Sequence, residues 1–312
     1  MENNKKNTSV AIKKKPMRKK RTAFILFFTV IPVIQWLIFY VYVNASSFLM
    51  AFTDRHGAIS FDNFVRLWGD LSYSGSDLRM SIRNTFLTFG ILVVAYPFKV
   101  LVSYFLYKKV PGSSIYRILF FLPTIIFSVA QTLIFQRIIG VDGFIAQGYQ
   151  EWKGLKDVPV FLADSDYANI TVLLHMIWLQ FPGDLIIWGG TFSRIPGDVL
   201  ESGRIDGVNW WQEFTRLIVP LIWPTFGLQM VLLACGMFGA SGEVFLLTQG
   251  NYGTMTLPCW IYLQLLQSSG DRYSSNVYNY MSAVGMIMTI IAITISLFIR
   301  KKTDKVFNDV EF

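Results

Sequence analysis

The sequence predicts an all-α, polytopic membrane protein with six transmembrane helices, on three observations. The 312-residue chain is 53% hydrophobic and only 15% charged, a balance that would leave a soluble protein of this size with much apolar surface in water. Six apolar stretches, at about 23–43, 84–106, 115–136, 168–193, 217–240 and 279–299, each have the roughly 20-residue length of a spanning helix. Lysine and arginine are unevenly shared between the segments that flank them, nineteen on one alternating set against eight on the other. By the positive-inside rule the richer set, which includes both termini, faces the cytoplasm.

Taken in order, residues 1–22 carry nine of the 28 Lys and Arg and read as a disordered basic tail lying against anionic membrane lipid. That concentration makes the formal charge of +8 a membrane-surface signature, not a nucleic-acid one. The first stretch competes with a cleaved signal peptide, since Val43-Asn44-Ala45 weakly resembles a cleavage site. Its apolar run exceeds the ~15-residue limit of such regions, so it reads as an uncleaved anchor. Segments 107–117, 191–216 and 300–312 are then inside, and 44–83, 137–167 and 241–278 outside. The outside loops hold eleven acidic residues and several aromatics, suited to short interfacial helices and to an extracytoplasmic partner.

The most informative stretch is Glu201–Pro224, ESGRIDGVNWWQEFTRLIVPLIWP. Pro196 can open a helix, because its missing N–H is wanted by no carbonyl there, and Gly207 can close it at positive φ beyond Asp206. Asn209 has the chemistry of a cap for a second helix, with Gln212 in the reciprocal position and Trp210, Trp211, Phe214 and Leu217 as its apolar faces. Pro220 and Pro224 follow inside an apolar run, tolerable in a membrane helix whose neighbours re-satisfy the freed carbonyls. The segment is a helix-turn-helix knob at about 196–217.

Glu201, Asp206-Gly207, Phe214, Ile218, Pro220 and Pro224 stand at the spacing of the EAA loop, and in this the chain resembles permease subunits of binding-protein-dependent ABC importers. Ser202-Gly203 replaces the usual Ala-Ala and Val208 the usual Ala. In that family the loop docks on the ATP-hydrolysing subunit. The resemblance therefore implies a coupling role for Glu201, Ser202, Gly203, Asp206, Gly207, Phe214 and Pro220. A second region, Phe245–Gly250 with Thr256-Leu257 and Trp260-Ile261-Tyr262, looks like the LTxGGP…T…YIY pattern of sugar-importing permeases of the maltose and oligosaccharide type, with Asn251-Tyr252 in place of the second Gly and the Pro. On its own, the stretch around Gly250 and Gly253 reads equally well as a flexible loop.

The resemblance extends from about Phe24 to Lys302 and implies a division into a basic tail 1–22, a transmembrane permease domain 23–300 and a cytoplasmic tail 301–312. It further implies one half of a heterodimeric pore with a second permease subunit, ATP-binding cassette subunits, an extracytoplasmic solute-binding protein and a carbohydrate substrate, in a bacterial cell (cytoplasmic) membrane. A permease for another small polar solute, or a secondary transporter, are the alternatives.

Ionisable groups inside spans cost on the order of 3 kcal/mol each unless paired or hydrated, and they mark function by default. Lys99 in the second stretch and Asp184 in the fourth are such groups. Asp184 should either face a water-filled pathway or pair with a cation such as Lys99. Trp178 and Gln180 lie within two turns of Asp184, and sugar recognition uses amides and carboxylates for hydroxyls and aromatics for the ring face. His175 could join them, and Ser241 and Glu243 follow the fifth stretch. Gly189-Gly190, Gly236 and Gly239 read as close helix-packing positions. Cys235 and Cys259 form no disulfide or metal framework, and the sequence has no phosphate-cradling GxxxxGK and no catalytic constellation. No enzyme activity, cofactor or metal is expected. The energy for import would come from another polypeptide.

Overall fold

The computed structural model describes residues 19–153, 160–239, 242–268 and 274–308. Most of the basic tail, residues 1–18, lies outside them, as do 309–312. The chain divides into two compact units, Met1–Met50 and Ala51–Phe312.

The first unit is helical throughout its described part: α1 (Lys19–Trp36), a π-helical turn over Leu37–Tyr42, and α2 (Val43–Ala51), which ends at the first residue of the next unit. Its apolar span, Phe24–Ala51, has 28 residues and is longer than the 23–43 expected. Large side chains such as Phe27, Phe39 and Leu49 are exposed along its length. A helix apolar all round is suited to lipid.

The second unit opens with a hairpin turn bridged between Thr53 and Ile59. The Asp54 carboxylate accepts the N–H groups of Ala58 and His56, both at 2.8 Å, and the bond from Ala58 is the main cause holding its carboxyl below the ordinary range. Helix α3 (Asp62–Ser72) follows, then α4 (Asp77–Tyr107), capped by the Ser76 hydroxyl, which accepts from Arg79 N. After them come α5 (Ser113–Ile125), α6 (Ser128–Ile139), α7 (Phe144–Lys153), α8 (Ala168–Phe192), α9 (Gly197–Ile205), α10 (Trp210–Gln212), α11 (Val219–Cys235), α12 (Gly242–Thr248), α13 (Leu257–Ser268) and α14 (Ser274–Asn308).

Among the described residues, six helices are long and apolar enough to cross a membrane. Five cover nearly all of their expected stretch, most of them with a longer end; the third does not. The stretch 115–136 is not one helix but is interrupted at 126–127, where Phe127 takes an extended conformation with ψ 136°, and the apolar passage runs instead over Ser128–Trp152. Pro123 withdraws a donor from the last turn of α5, and the ladder restarts when Gln131 N donates to Phe127 O at 3.1 Å.

The two largest buried clusters of the second unit gather most of its helices. One joins Tyr96, Val100 and Tyr104 of α4, Trp188 and Phe192 of α8, and Ile222 and Met230 of α11 to Leu200, Phe214 and Ile218 of the knob. The other gathers Leu67, Leu78, Leu257, Trp260, Tyr280 and Val284 from α3, α4, α13 and α14.

The glycines expected to pack closely do not: a Cβ at Gly189, Gly190 or Gly236 would meet nothing within 4 Å, and at Gly239 only a neighbouring carbonyl, Gly236 O at 3.3 Å. Their spacing in sequence says nothing of which face of the helix is covered. Close approaches to the side chain of another element are found at Gly203, where a Cβ would lie 2.6 Å from Leu217 Cδ1, and at Gly227, where it would collide with Thr303 of α14. The Thr303 hydroxyl donates to Ile299 O at 2.9 Å and its carbonyl accepts from Trp223 Nε1 at 3.2 Å, so the residue has little freedom to retreat. Gly227→Val is expected to cost about 1–3 kcal/mol, as overpacking does. It should lower the thermal midpoint of detergent-solubilised protein, whereas Gly190→Ala should leave it nearly unchanged; equal midpoints for the two would count against the contact.

Candidate functional site

The two intramembrane charges meet. Lys99 Nζ of α4 lies 2.9 Å from Asp184 Oδ2 of α8, with the lysine side chain 2% exposed and the aspartate 19%. The ammonium also sits 5.6 Å from the centroid of the Tyr96 ring. Neither charge stands alone in the apolar interior, and the carboxylate keeps an open edge.

That edge lines a cavity of about 540 Å³. One wall is the α8 face of Leu179, Gln180, Gly183 and Asp184; the other is the broken segment Ile126, Phe127 and Ser128 with Gln131. Gln180 and Asp184 share this face because they are four residues apart on a helix. Trp178 does not line it. Two residues before Gln180 it points about 200° away, and its ring stacks on Phe135 of α6 at 6.1 Å between centroids. His175 is fully buried against the same Phe135, 4.6 Å between centroids, and its nitrogens have no hydrogen-bond partner among the described residues.

Glu243 stands in the first turn of α12, half-buried and away from the cavity wall, where a carboxylate suits the positive end of a helix. Ser241 lies outside the described residues. The helix break and Gln131 were missed by sequence reasoning, although Pro123 and Ser128 inside an apolar run were the signal for them.

The second matching region is firmly held. Gln249, Gly250, Tyr252 and Gly253 all take positive φ, between 54° and 78°. Asn84 Nδ2 of α4 donates to Gly253 O at 2.6 Å and to Met255 O at 2.9 Å, and Gln136 Nε2 donates to Leu246 O at 2.7 Å.

The knob folds as its sequence indicates. Gly207 takes φ +73°, its N–H donates to Arg204 O at 3.1 Å, and Val208 N donates to Gly203 O at 3.0 Å, which is the Schellman ending of α9. Pro196 itself sits outside the helix as its cap residue, with extended ψ of 133°. Asn209 Oδ1 accepts from Gln212 N at 2.9 Å while Gln212 Oε1 accepts from Asn209 N at 3.2 Å, completing the capping box.

A π-helical turn over Glu213–Ile218 then leads into α11, with Pro220 in its first turn. Phe214 is buried and Gly203 lies under Leu217, while Glu201, Ser202, Asp206 and Gly207 are exposed. Ile205 (86% exposed), Trp210 and Trp211 add an apolar patch to the same outer surface. Glu213, not singled out from the sequence, is buried.

No family model matches the chain. It is 27% identical over 276 residues to a probable ABC transporter permease protein, YesP, of Bacillus subtilis (strain 168), covering 86% of each chain. It is 24% identical over 253 residues to the lactose transport system permease protein LacF of Rhizobium radiobacter, covering 77% of this chain and 78% of that one. Among solved structures, a bacterial ABC transporter involved in the import of the acidic polysaccharide alginate superposes with a TM-score of 0.76 at 24% identity, over 91% of this chain and 96% of that one. The likeness to that transporter gives the fold, that of a multi-pass α-helical membrane protein. Over most of its length the chain is thus similar to proteins named as permeases of ABC transporters.

The ion pair makes a specific expectation. Removing one partner strands a buried charge, at a cost of about 3–5 kcal/mol, whereas exchanging both for apolar groups can be neutral. Lys99→Met or Asp184→Leu alone should cut the folded yield read by size-exclusion chromatography, and the double change should restore much of it. Additive losses in the double variant would show that the two side chains act separately.

Proposed function

We propose that this chain forms half of the translocation pathway of a carbohydrate ABC importer in a bacterial cell membrane. The observation that carries this reading is the cavity between the broken α5–α6 segment and α8, where Gln180 and Asp184 offer an amide and a carboxylate to hydroxyl groups in a space of about 540 Å³. That volume is within the ordinary range for small-ligand sites, about 300–1,000 Å³. The lactose permease and the alginate transporter among similar proteins favour a sugar or oligosaccharide. Trp178, placed off the cavity wall, and Glu243 are kept as pathway residues only if the wall changes with access.

In this reading both termini and the 197–217 knob face the cytoplasm, with tails 1–22 and 301–312 flanking a permease domain 23–300, as the Lys and Arg asymmetry supports. The exposed surface of Glu201, Ser202, Ile205, Asp206, Trp210 and Trp211 docks on an ATP-hydrolysing subunit, while Gly203, Gly207, Phe214 and Pro220 shape it. A second permease completes the pore. An extracytoplasmic solute-binding protein delivers substrate to the outer loops, as a similar alginate importer in complex with a pentasaccharide-bound periplasmic protein suggests. Nucleotide-driven closure of the ATPase pair moves the knob, and the spanning helices switch access of the cavity between the two sides.

Two experiments test this. With Cys235 and Cys259 replaced, a cysteine at the exposed Ser165 should react with an impermeant maleimide in intact cells and one at the exposed Ser202 should not; the reverse would overturn the orientation. Gly207→Val forces a β-branched residue to φ +73° and should lower sugar uptake by about tenfold or more while the chain still inserts. Normal binding-protein-stimulated ATP hydrolysis and uptake in that variant would remove the knob from coupling.

A further inference from the structure

The knob is joined by the chain to α8 and α11, but to α4 only by side chains. One joint there is directional. Glu213, 4% exposed, accepts from Tyr104 Oη on Oε1 at 3.1 Å and from Lys108 Nζ on Oε2. Around it the Phe214 and Tyr104 rings lie 5.1 Å apart and the Trp210 and Phe105 rings 5.5 Å. Such apolar contacts are non-directional and can slide, whereas two bonds to one carboxylate fix position and angle.

Tyr104 stands on the same helix as Lys99, five residues or about 8 Å below it, and Lys108 caps that helix nine residues or about 14 Å below, at the 1.5 Å rise of an α-helix. Ser103 Oγ donates to Lys99 O at 2.7 Å within that stretch, and Lys99 grips Asp184 at the cavity. We infer that Glu213 is a positioning residue that ties the knob to α4, so that α4 carries knob displacement to Asp184 through Lys99. This rests on the reading of 197–217 as the coupling element.

A purely stabilising role fits the geometry less well. Lys108 is at the end of α4 with 24% of its side chain exposed, and a lysine there can reach water on its own stem. It does not need Glu213 for neutralisation. The carboxylate bears the greater desolvation, its side chain being 6% exposed, and an apolar residue of similar size would commonly serve stability as well. What the acid adds is a fixed geometry between two elements distant in sequence. The π-helical turn, which begins at Glu213 itself, displaces this side chain from the register a regular helix would give it.

The test uses the complex isolated with its ATP-hydrolysing and second permease subunits, Cys235 and Cys259 replaced by Ser, and Phe127→Cys on the cavity wall as reporter. The rate of maleimide labelling is compared at rest and after trapping with MgATP and vanadate. Glu213→Gln should shrink the difference between the two states by about fivefold or more, the lower end of ordinary coupling strengths, with subunits still co-purifying. Lys108→Glu combined with Glu213→Lys should restore most of it, which a shape-only role would not do. Tyr104→Phe, which removes one bond and keeps the ring, should give an intermediate value and covers the case in which the Gln variant folds poorly. A wild-type difference in both single variants overturns the relay. No difference in the parent complex overturns the coupling reading itself, and is distinguished because it appears before Glu213 is touched.

Discussion

The contact between Lys99 and Asp184 constrains the rest of the second unit. In water such a pair contributes little; between apolar spans each charge alone would cost several kcal/mol, so the 2.9 Å contact is a condition for inserting α4 and α8 together. It also sets their register, because a shift of one residue on either helix turns its charge by about 100° away from the other. The same pair that fixes the helices leaves part of a carboxylate on the cavity wall. In the proposed reading, structure and solute recognition draw on one side chain, and the lysine, almost fully buried, neutralises that carboxylate without offering a positive surface of its own.

The interruption at 126–127 and the cavity depend on each other in a similar way. A break in a spanning helix exposes N–H groups that lipid cannot satisfy, and non-helical backbone persists at membrane depth only where it is buried in protein or borders water. Ile126, Phe127 and Ser128 form one wall of the cavity opposite Asp184. Had the third stretch been a continuous helix, its backbone would have been closed on itself and that wall would offer side chains alone.

The sequence made the helical class, the number of passages, the knob and the location of the two charges legible, because each is written in local chemistry: apolar length, cap residues, a glycine at the turn, an ionisable group where lipid should be. The Asp206-Gly207 turn and the Asn209–Gln212 box needed no tertiary information. What it concealed depends on which faces meet. Trp178 is near Gln180 in sequence yet turned toward Phe135, Gly189 and Gly190 have the composition of a packing motif but no neighbour, and Gly227, with no such motif, holds the close approach to Thr303. Glu213 escaped notice for the same reason, since a glutamate in a polar loop looks solvated until Tyr104 and Lys108, more than a hundred residues earlier, are brought to it.

The departures of the knob from the usual EAA pattern have an internal cause. At 203, where alanine is usual, a Cβ would lie 2.6 Å from Leu217 Cδ1, so glycine lets α9 settle more closely on the π-helical turn. The same residue's carbonyl receives Val208 N in the Schellman ending, and the branched side chain at 208 remains compatible with it because the positive φ falls on Gly207. The two substitutions thus meet at one place on the inner side of the knob. Glu201, Ser202 and Ile205 stay exposed, while Leu217 lies over Gly203 and Glu213, four residues before it, is buried against Tyr104 and Lys108. A tighter inner face makes the knob a stiffer body, and stiffness is what a small displacement at its surface requires if it is to reach α4 undiminished.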